Sequence, residues 1–292
     1  MNMARSVNYI SFSSGSIGGL AYVGAWRALE EAGMADSLKG FSGCSIGSIM
    51  ALLVSIGYTS EELTTIVYNL KYKRLSTIQI FRIFENYGLE TGEKIMELLG
   101  KLVLRKVGQK ALTFNEHWRI TGKKLWIAVS CVEDDRVEYF SVDNQPDMDV
   151  LLAVRMSIAM PIIFSAVKWK GKTYVDGGFQ DPLPVSVLPP AETLAFKVRN
   201  ENAGQKTGDA TSDADSGVQF MSYVYQIIFS AYKRLHYNHE PIYKKYNIIH
   251  LDTDVMSMSL NLRRSSRMRL VHQGYVTAMA RLKDGNGRKA GL

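Results

Sequence analysis

The chain has 292 residues, 46% apolar and 22% charged, a composition that fits a folded globular protein and excludes a disordered or collagen-like one. Its 35 basic and 28 acidic residues give a formal charge of +7, which suits an anionic membrane or nucleic acid but is also ordinary for a solvated surface. Two cysteines, Cys44 and Cys131, leave no disulfide framework and no metal-binding spacing.

No apolar run nears the ~18 residues of a membrane-spanning helix, and the opening MNMARSVNYISF lacks the basic stretch and apolar core of a secretory leader. The expectation is an intracellular protein with reduced thiols, peripheral to membranes rather than spanning them. Basic residues gather at Lys71, Lys73 and Arg74, at Lys168, Lys170 and Lys172, and at Arg263, Arg264, Arg267 and Arg269. Each group reads as surface charge.

In chain order, residues 7–12 predict a short buried strand that runs into the glycine-rich SSGSIGG, residues 13–19. Leu20, Val23, Trp26 and Leu29 then recur near helical spacing until Gly33. A second strand–turn–helix unit passes through FSGCSIGSIM, residues 41–50, and fades at Gly57. Thr59 and Glu62 have capping-box spacing and open a helix over roughly 60–71. Residues 76–107 read as mainly helical with a break near Tyr87 and Gly88. Two strands, 125–130 and 136–141, flank the turn VEDD, and a helix over 149–159 is stopped by Pro161. Strands at AVKW and KTYV enclose the turn Lys170-Gly171 and end in DGG at 176–178. Residues 200–217 lack large apolar side chains and predict a flexible loop. The helix after them, VQFMSYVYQIIFSAYKRL, is apolar nearly all round and predicts burial. Strands alternating with helices imply an α/β sheet.

The chemistry starts at Ser45. Gly43 and Gly47 bracket it, with Cys44 and Ile46 between. A hydroxyl lifted clear on a sharp strand-to-helix turn brings the residues two before and two after into contact, so only very small side chains fit there. The following helix adds a partial positive charge that favours a developing oxyanion. Cys44 lies off the apex and has no base of its own. The glycine-rich loop presents backbone N–H groups to an anion. It is no P-loop, because no Gly-Lys-Ser or Gly-Lys-Thr follows, and Gly15 and Gly18 have the wrong spacing for a dinucleotide fingerprint. An oxyanion hole is the better reading. None of the histidines, His117, His236, His239, His250 and His272, lies in a glycine-bounded turn, and each reads as surface or core packing. The leading acid is Asp176, at a strand end with Gly177 and Gly178 behind it.

These residues together resemble the patatin-like phospholipase family. The loop at 13–19, the Gly-x-Ser-x-Gly at 43–47 and the Asp-Gly-Gly at 176–178 occur in the family's order. The flanks GLAYVGAWRALEEAG, VRMSIAMPIIFSAV and DPLPV agree too, and the likeness covers roughly residues 7–283. The resemblance implies one three-layer α/β/α domain with a mainly parallel central sheet, followed by a polar tail over 284–292. It implies a Ser45–Asp176 dyad without histidine, and hydrolysis of fatty-acyl esters of phospholipids or other membrane lipids through an acyl-enzyme. Backbone N–H groups of Gly15 and Ser16, with Ile17, would form the oxyanion hole. No cofactor, metal or nucleic acid is implied; the partners are a lipid ester and a membrane surface. The chain departs from the family where Ser14 and Ser16 replace glycines and Gly18 stands where Arg or Lys is common. Two other readings stay open at this point: a lipid-binding protein with little turnover, and a Ser-His-Asp esterase.

Overall fold

The computed structural model describes residues 7–70, 88–200, 239–253 and 262–287, together with Tyr223, Ile227 and Ser230. Strand β1 (Tyr9–Phe12) leads through a 3-10 turn at Ser16–Leu20 into helix α1 (Ala21–Glu31), and β2 (Gly40–Cys44) into α2 (Ile46–Ser55). Helix α3 (Ser60–Asn69) starts at the expected capping box: the Glu62 N–H donates to Thr59 Oγ1 at 3.2 Å, and the Thr59 N–H to Glu62 Oε2 at 3.0 Å. Then come β3 (Gly88–Glu90), α4 (Glu93–Val107) and α5 (Phe114–Thr121). The hairpin β4 (Lys124–Cys131) and β5 (Arg136–Phe140) precedes α6 (Val150–Ser157). Three short strands follow, β6 (Ile162–Phe164), β7 (Val167–Trp169) and β8 (Lys172–Asp176), and after them β9 (Thr193–Asn200). A single helical turn α7 (Glu240–Tyr243), strand β10 (Asn247–Thr253) and helix α8 (Arg264–Gly287) complete the order.

The main sheet runs β10-β9-β1-β2-β4-β8-β7, with β5 against the other side of β4. From β10 to β4 all neighbours are parallel; β8, β7 and β5 join antiparallel. The result is an α/β/α arrangement around a mixed, largely parallel sheet, as expected. Alternation along the strands sorts side chains onto two faces. Ile10, Phe12, Phe41, Leu194, Phe196, Ile249 and Leu251 join the large core that also takes in α1, α2 and α8. Ala195 and Ile248 face the other way, onto Leu183, Val185 and Tyr243.

Several expectations need correction, and others fall outside the described residues. The segment before Gly88 lies outside the described residues, and Gly88–Glu90 is a strand paired with β6 rather than a helix break. Helix α5 was unanticipated, although Thr113 and Glu116 form a second capping box at its start. The expected flexible loop at 200–217 lies outside the described residues but for its first residue, as do Lys71, Lys73, Arg74 and His236. Of the apolar helix expected to be buried, Tyr223, Ile227 and Ser230 are helical but exposed, and its other residues lie outside the described ones. Arg267 is not surface charge: it is buried and donates from Nη1 to the Val67 and Leu70 carbonyls at 2.7 and 2.6 Å. Helix α8 continues to Gly287, so the expected polar tail begins as helix, and residues 288–292 lie outside the description.

Candidate active site

One edge of β4 brings the two key side chains together. Strand β2 runs parallel to its first half, Gly40 opposite Lys124 up to Cys44 opposite Ala128. Strand β8 runs antiparallel along its second half, from Tyr174 opposite Cys131 down to Asp176 opposite Val129. Strand β5 pairs with residues 127–131 of β4 and so takes the opposite edge. Strands β2 and β8 therefore approach end to end on a shared edge. Ser45 follows the last residue of one, and Asp176 is the last residue of the other.

The elbow is sharp. Ser45 has φ 55° and ψ −126°, a left-handed φ that a non-glycine residue adopts only when its surroundings impose it. A Cβ on Gly43 would lie 2.3 Å from the Gly47 carbonyl oxygen, and one on Gly47 would lie 2.3 Å from that of Phe12 and 2.6 Å from that of Ser13. So Gly43 makes room within the turn, while Gly47 makes room for the end of β1. Ser48 closes the start of α2 by donating from Oγ to the Ser45 carbonyl at 2.6 Å. The Ser45 N–H donates to Ser157 Oγ at 2.9 Å, and Ser157 donates in turn to the Ala128 carbonyl at 2.7 Å.

Asp176 is buried, and burial pushes its pKa up to about 6, against the nearby Ser45 hydroxyl, the Gly178 N–H and the Cys44 thiol, which hold it down. Oδ1 accepts from Gly178 N–H at 2.8 Å and from Cys44 Sγ at 3.8 Å. Oδ2 is sealed from solvent and accepts no hydrogen bond of ordinary geometry, so Ser45 lies within influence of the carboxyl but short of a well-aligned bond. Gly177 abuts β4, where a Cβ would meet the Ala128 carbonyl oxygen at 2.3 Å. Cys44 is fully buried, and burial and the neighbouring carboxylates raise its pKa well above the usual thiol value. That keeps it a neutral donor rather than a thiolate.

The glycine-rich loop lies against the elbow: a Cβ on Gly19 would meet Ile46 Cγ2 at 2.5 Å. Gly15, Ser16 and Ile17 begin its 3-10 turn. Ser16 has φ 48°, so one of the positions where glycine was replaced does need left-handed backbone. Gly18, where a basic residue was expected from the family pattern, faces Val198 Cγ1 and Thr253 Oγ1, at 2.9 and 3.2 Å from a notional Cβ. The tips of β9 and β10 occupy the space a longer side chain would need. A left-handed Cβ costs roughly 1–2 kcal/mol. Ser16→Gly should therefore melt higher than Ser16→Ala, by a free-energy difference of about 1 kcal/mol. Equal unfolding midpoints would mean that the loop relaxes out of this conformation.

Among the described residues no histidine bonds to Ser45 or Asp176. His117 is buried against Ser55 Oγ, Nε2 to Oγ 2.7 Å, and burial pushes its pKa down to about 4. His250 is half-buried in β10, and His272 is exposed on α8. His239 lies near Asp181, a second buried carboxylate, which belongs to the flank DPLPV. Burial raises Asp181 to about 6, and Tyr139 Oη donates to its Oδ2 at 2.6 Å. Cys131, Asp134 and Glu138 bring ligand atoms within 4.8 Å of one another. Cations already meet this group: Lys172 and Arg136 pair with Asp134 at 2.5 and 3.0 Å, and Arg136 with Glu138 at 3.3 Å.

A serine on a strand–helix elbow beside a buried carboxyl, in an α/β/α layer structure, is the arrangement of a serine-hydrolase-type protein. The family model described as patatin-like phospholipase matches residues 10–189, and the chain belongs to that family, whose chemistry is serine-hydrolase-type lipid acyl hydrolysis. The chain is 31% identical over 200 residues to a protein of invertebrate iridescent virus 6 named "Probable lipid hydrolase 463L", covering 67% of this chain and 65% of that protein. It is 28% identical over 204 residues to uncharacterized protein R571 of Acanthamoeba polyphaga mimivirus, covering 67% of each. The crystal structure of VipD from Legionella pneumophila superposes with a TM-score of 0.64 at 17% identity, over 96% of this chain and 67% of that one, a likeness of fold. The chain thus spans about two thirds of the length of these relatives. Among the described residues no helix is long and apolar enough to cross a membrane.

Proposed function

We propose that this protein hydrolyses fatty-acyl esters of membrane lipids with Ser45 as nucleophile and Asp176 as general base. The observation that carries the reading is the convergence of β2 and β8 on one edge of β4, which brings the Ser45 turn beside the Asp176 carboxyl. Catalytic hydrogen bonds are often long or poorly aligned before substrate binds, and the buried, unpaired Oδ2 fits that state.

In the reaction, Ser45 Oγ attacks the ester carbonyl and its proton passes to Asp176. The tetrahedral oxyanion takes hydrogen bonds from the N–H groups of Gly15, Ser16 and Ile17, helped by the N-terminal end of α2. Collapse of the intermediate expels the lysolipid or alcohol, which receives the proton from Asp176, and leaves an acyl group on Ser45. Asp176 then takes a proton from water, whose oxygen attacks the acyl-enzyme; as the second tetrahedral intermediate collapses, Asp176 returns that proton to the departing Ser45 Oγ and the fatty acid is released. A carboxyl with a pKa about 6 is a stronger base than a free aspartate and remains ionised at neutral pH.

We place this chemistry at a membrane surface, within a reducing compartment. Exposed Lys168 and Lys170 beside the β7–β8 turn supply positive charge for anionic headgroups, and both cysteines are free. The test is release of fatty acid from phosphatidylcholine vesicles with and without phosphatidylglycerol, by the wild type and by Ser45→Ala. Ser45→Ala should lose roughly 10⁴-fold or more in turnover, and the wild type should work faster on the anionic vesicles. Retained vesicle binding with no acyl release by either protein would favour the lipid-binding reading.

A further inference from the structure

The end of α6 touches both halves of the site, through a residue that the sequence marks only as part of the flank VRMSIAMPIIFSAV. Ser157 is fully buried. Its single hydroxyl proton goes to the Ala128 carbonyl at 2.7 Å, which orients an oxygen lone pair toward the Ser45 N–H at 2.9 Å. Two residues on, the Ala159 carbonyl accepts from the Asp176 N–H at 3.0 Å. The helix end is itself held by Arg155, which donates to the Thr91 and Ser165 carbonyls at 2.9 and 2.7 Å. One short stretch, Ser157 to Ala159, thus grips the elbow by its amide and the carboxylate strand by its last amide.

We propose that Ser157 is a positioning residue: by accepting the Ser45 N–H it holds the elbow in its left-handed conformation and registers the hydroxyl on Asp176. The inference rests on the Ser45–Asp176 reading and deepens it. It also has a consequence for the oxyanion. The Ser45 amide is turned into the protein and spent on Ser157, so the nucleophile's own N–H is not among the donors to the oxyanion. Without the Ser157 hydroxyl, the Ser45 N–H and the Ala128 carbonyl both lose a partner in a place water does not reach. The strained φ of Ser45 then has one fewer restraint, and small displacements at a nucleophile are expensive in rate.

The experiment uses Ser157→Ala in the full chain, with p-nitrophenyl butyrate as probe. We expect kcat to fall roughly 10- to 100-fold with KM within about twofold, since the hydroxyl touches no substrate. Hydrogen–deuterium exchange should show faster exchange at the Ser45 amide while β2, β4 and α2 keep their protection. Wild-type kcat, or a lower kcat with Ser45 amide protection unchanged, would overturn the proposal. So would a loss of protection spread across the sheet, which would make Ser157 a fold-stabilising residue only. The two levels fail separately. Undiminished turnover by Ser45→Ala removes the nucleophile reading, whereas an inactive Ser45→Ala beside a fully active Ser157→Ala removes the positioning role alone.

Discussion

Asp176→Asn should abolish turnover, by about 10³-fold or more, and at the same time raise the stability of the fold. The loss follows from the role, since an amide oxygen cannot take the serine proton. The gain follows from burial. The carboxyl titrates at about 6 in the folded protein against its ordinary 3.8. Its protonated form favours the fold below about pH 4, and that contribution is lost as the pH rises through 6. At pH 8 the buried carboxylate therefore costs on the order of 3 kcal/mol. An asparagine there keeps an acceptor for the Gly178 N–H and carries no charge. Denaturant melts of both proteins at pH 8 and pH 5 provide the check: the variant should lead clearly at pH 8 and by about half as much at pH 5. The wild-type kcat/KM should fall below about pH 6 as the base becomes protonated. A variant less stable than wild type at pH 8 would mean that the carboxylate is better solvated than its burial implies.

Gly47→Ala should be a severely damaging methyl in the elbow. Its Cβ would sit 2.3 Å from the Phe12 carbonyl oxygen and 2.6 Å from that of Ser13, both backbone atoms of the strand end leading into the glycine-rich loop. Neither can swing away as a side chain could, so β1 and α2 must separate. The expected cost is about 3 kcal/mol, with a loss of roughly 100-fold in kcat/KM because the loop moves relative to Ser45. Gly100→Ala is the matched control. It lies inside α4, its Cβ would meet only Leu151 Cδ1 at 3.9 Å, and the exchange should stabilise the protein by about 0.5–1 kcal/mol. Thermal unfolding of the pair, with esterase rates, decides the matter. Similar behaviour of the two variants would show that the elbow tolerates widening.

Ser45 and Asp176 were legible because the constraints on them are local: a tight turn demands Gly43 and Gly47, and a strand end against β4 demands Gly177. Their meeting was not legible from spacing, since it depends on β2 and β8 sharing one edge of β4, through pairings that join residues 84 apart for β2 and 43 to 47 apart for β8. The family resemblance supplied it instead. Ser157 left no signal beyond its place in VRMSIAMP, because a buried serine bonded to two backbone groups looks like any other serine in a helix. The second capping box at Thr113 and Glu116 was readable and overlooked. Strands β3 and β6 are three residues each, too short for periodicity, and Ile162 holds φ 74° against the preference of a β-branched side chain. Arg267 was misjudged because its partners are the carbonyls at the end of α3, which the sequence does not announce.

Trapping the nucleophile puts the pairing to its most direct trial. A fluorophosphonate probe should phosphonylate the wild type at Ser45 alone, as read by mass spectrometry of the digested protein. Labelling should slow by orders of magnitude in a folded Asp176→Asn. An adduct on Cys44 or another serine, or equal labelling rates in the two proteins, would break the link between that hydroxyl and that carboxyl.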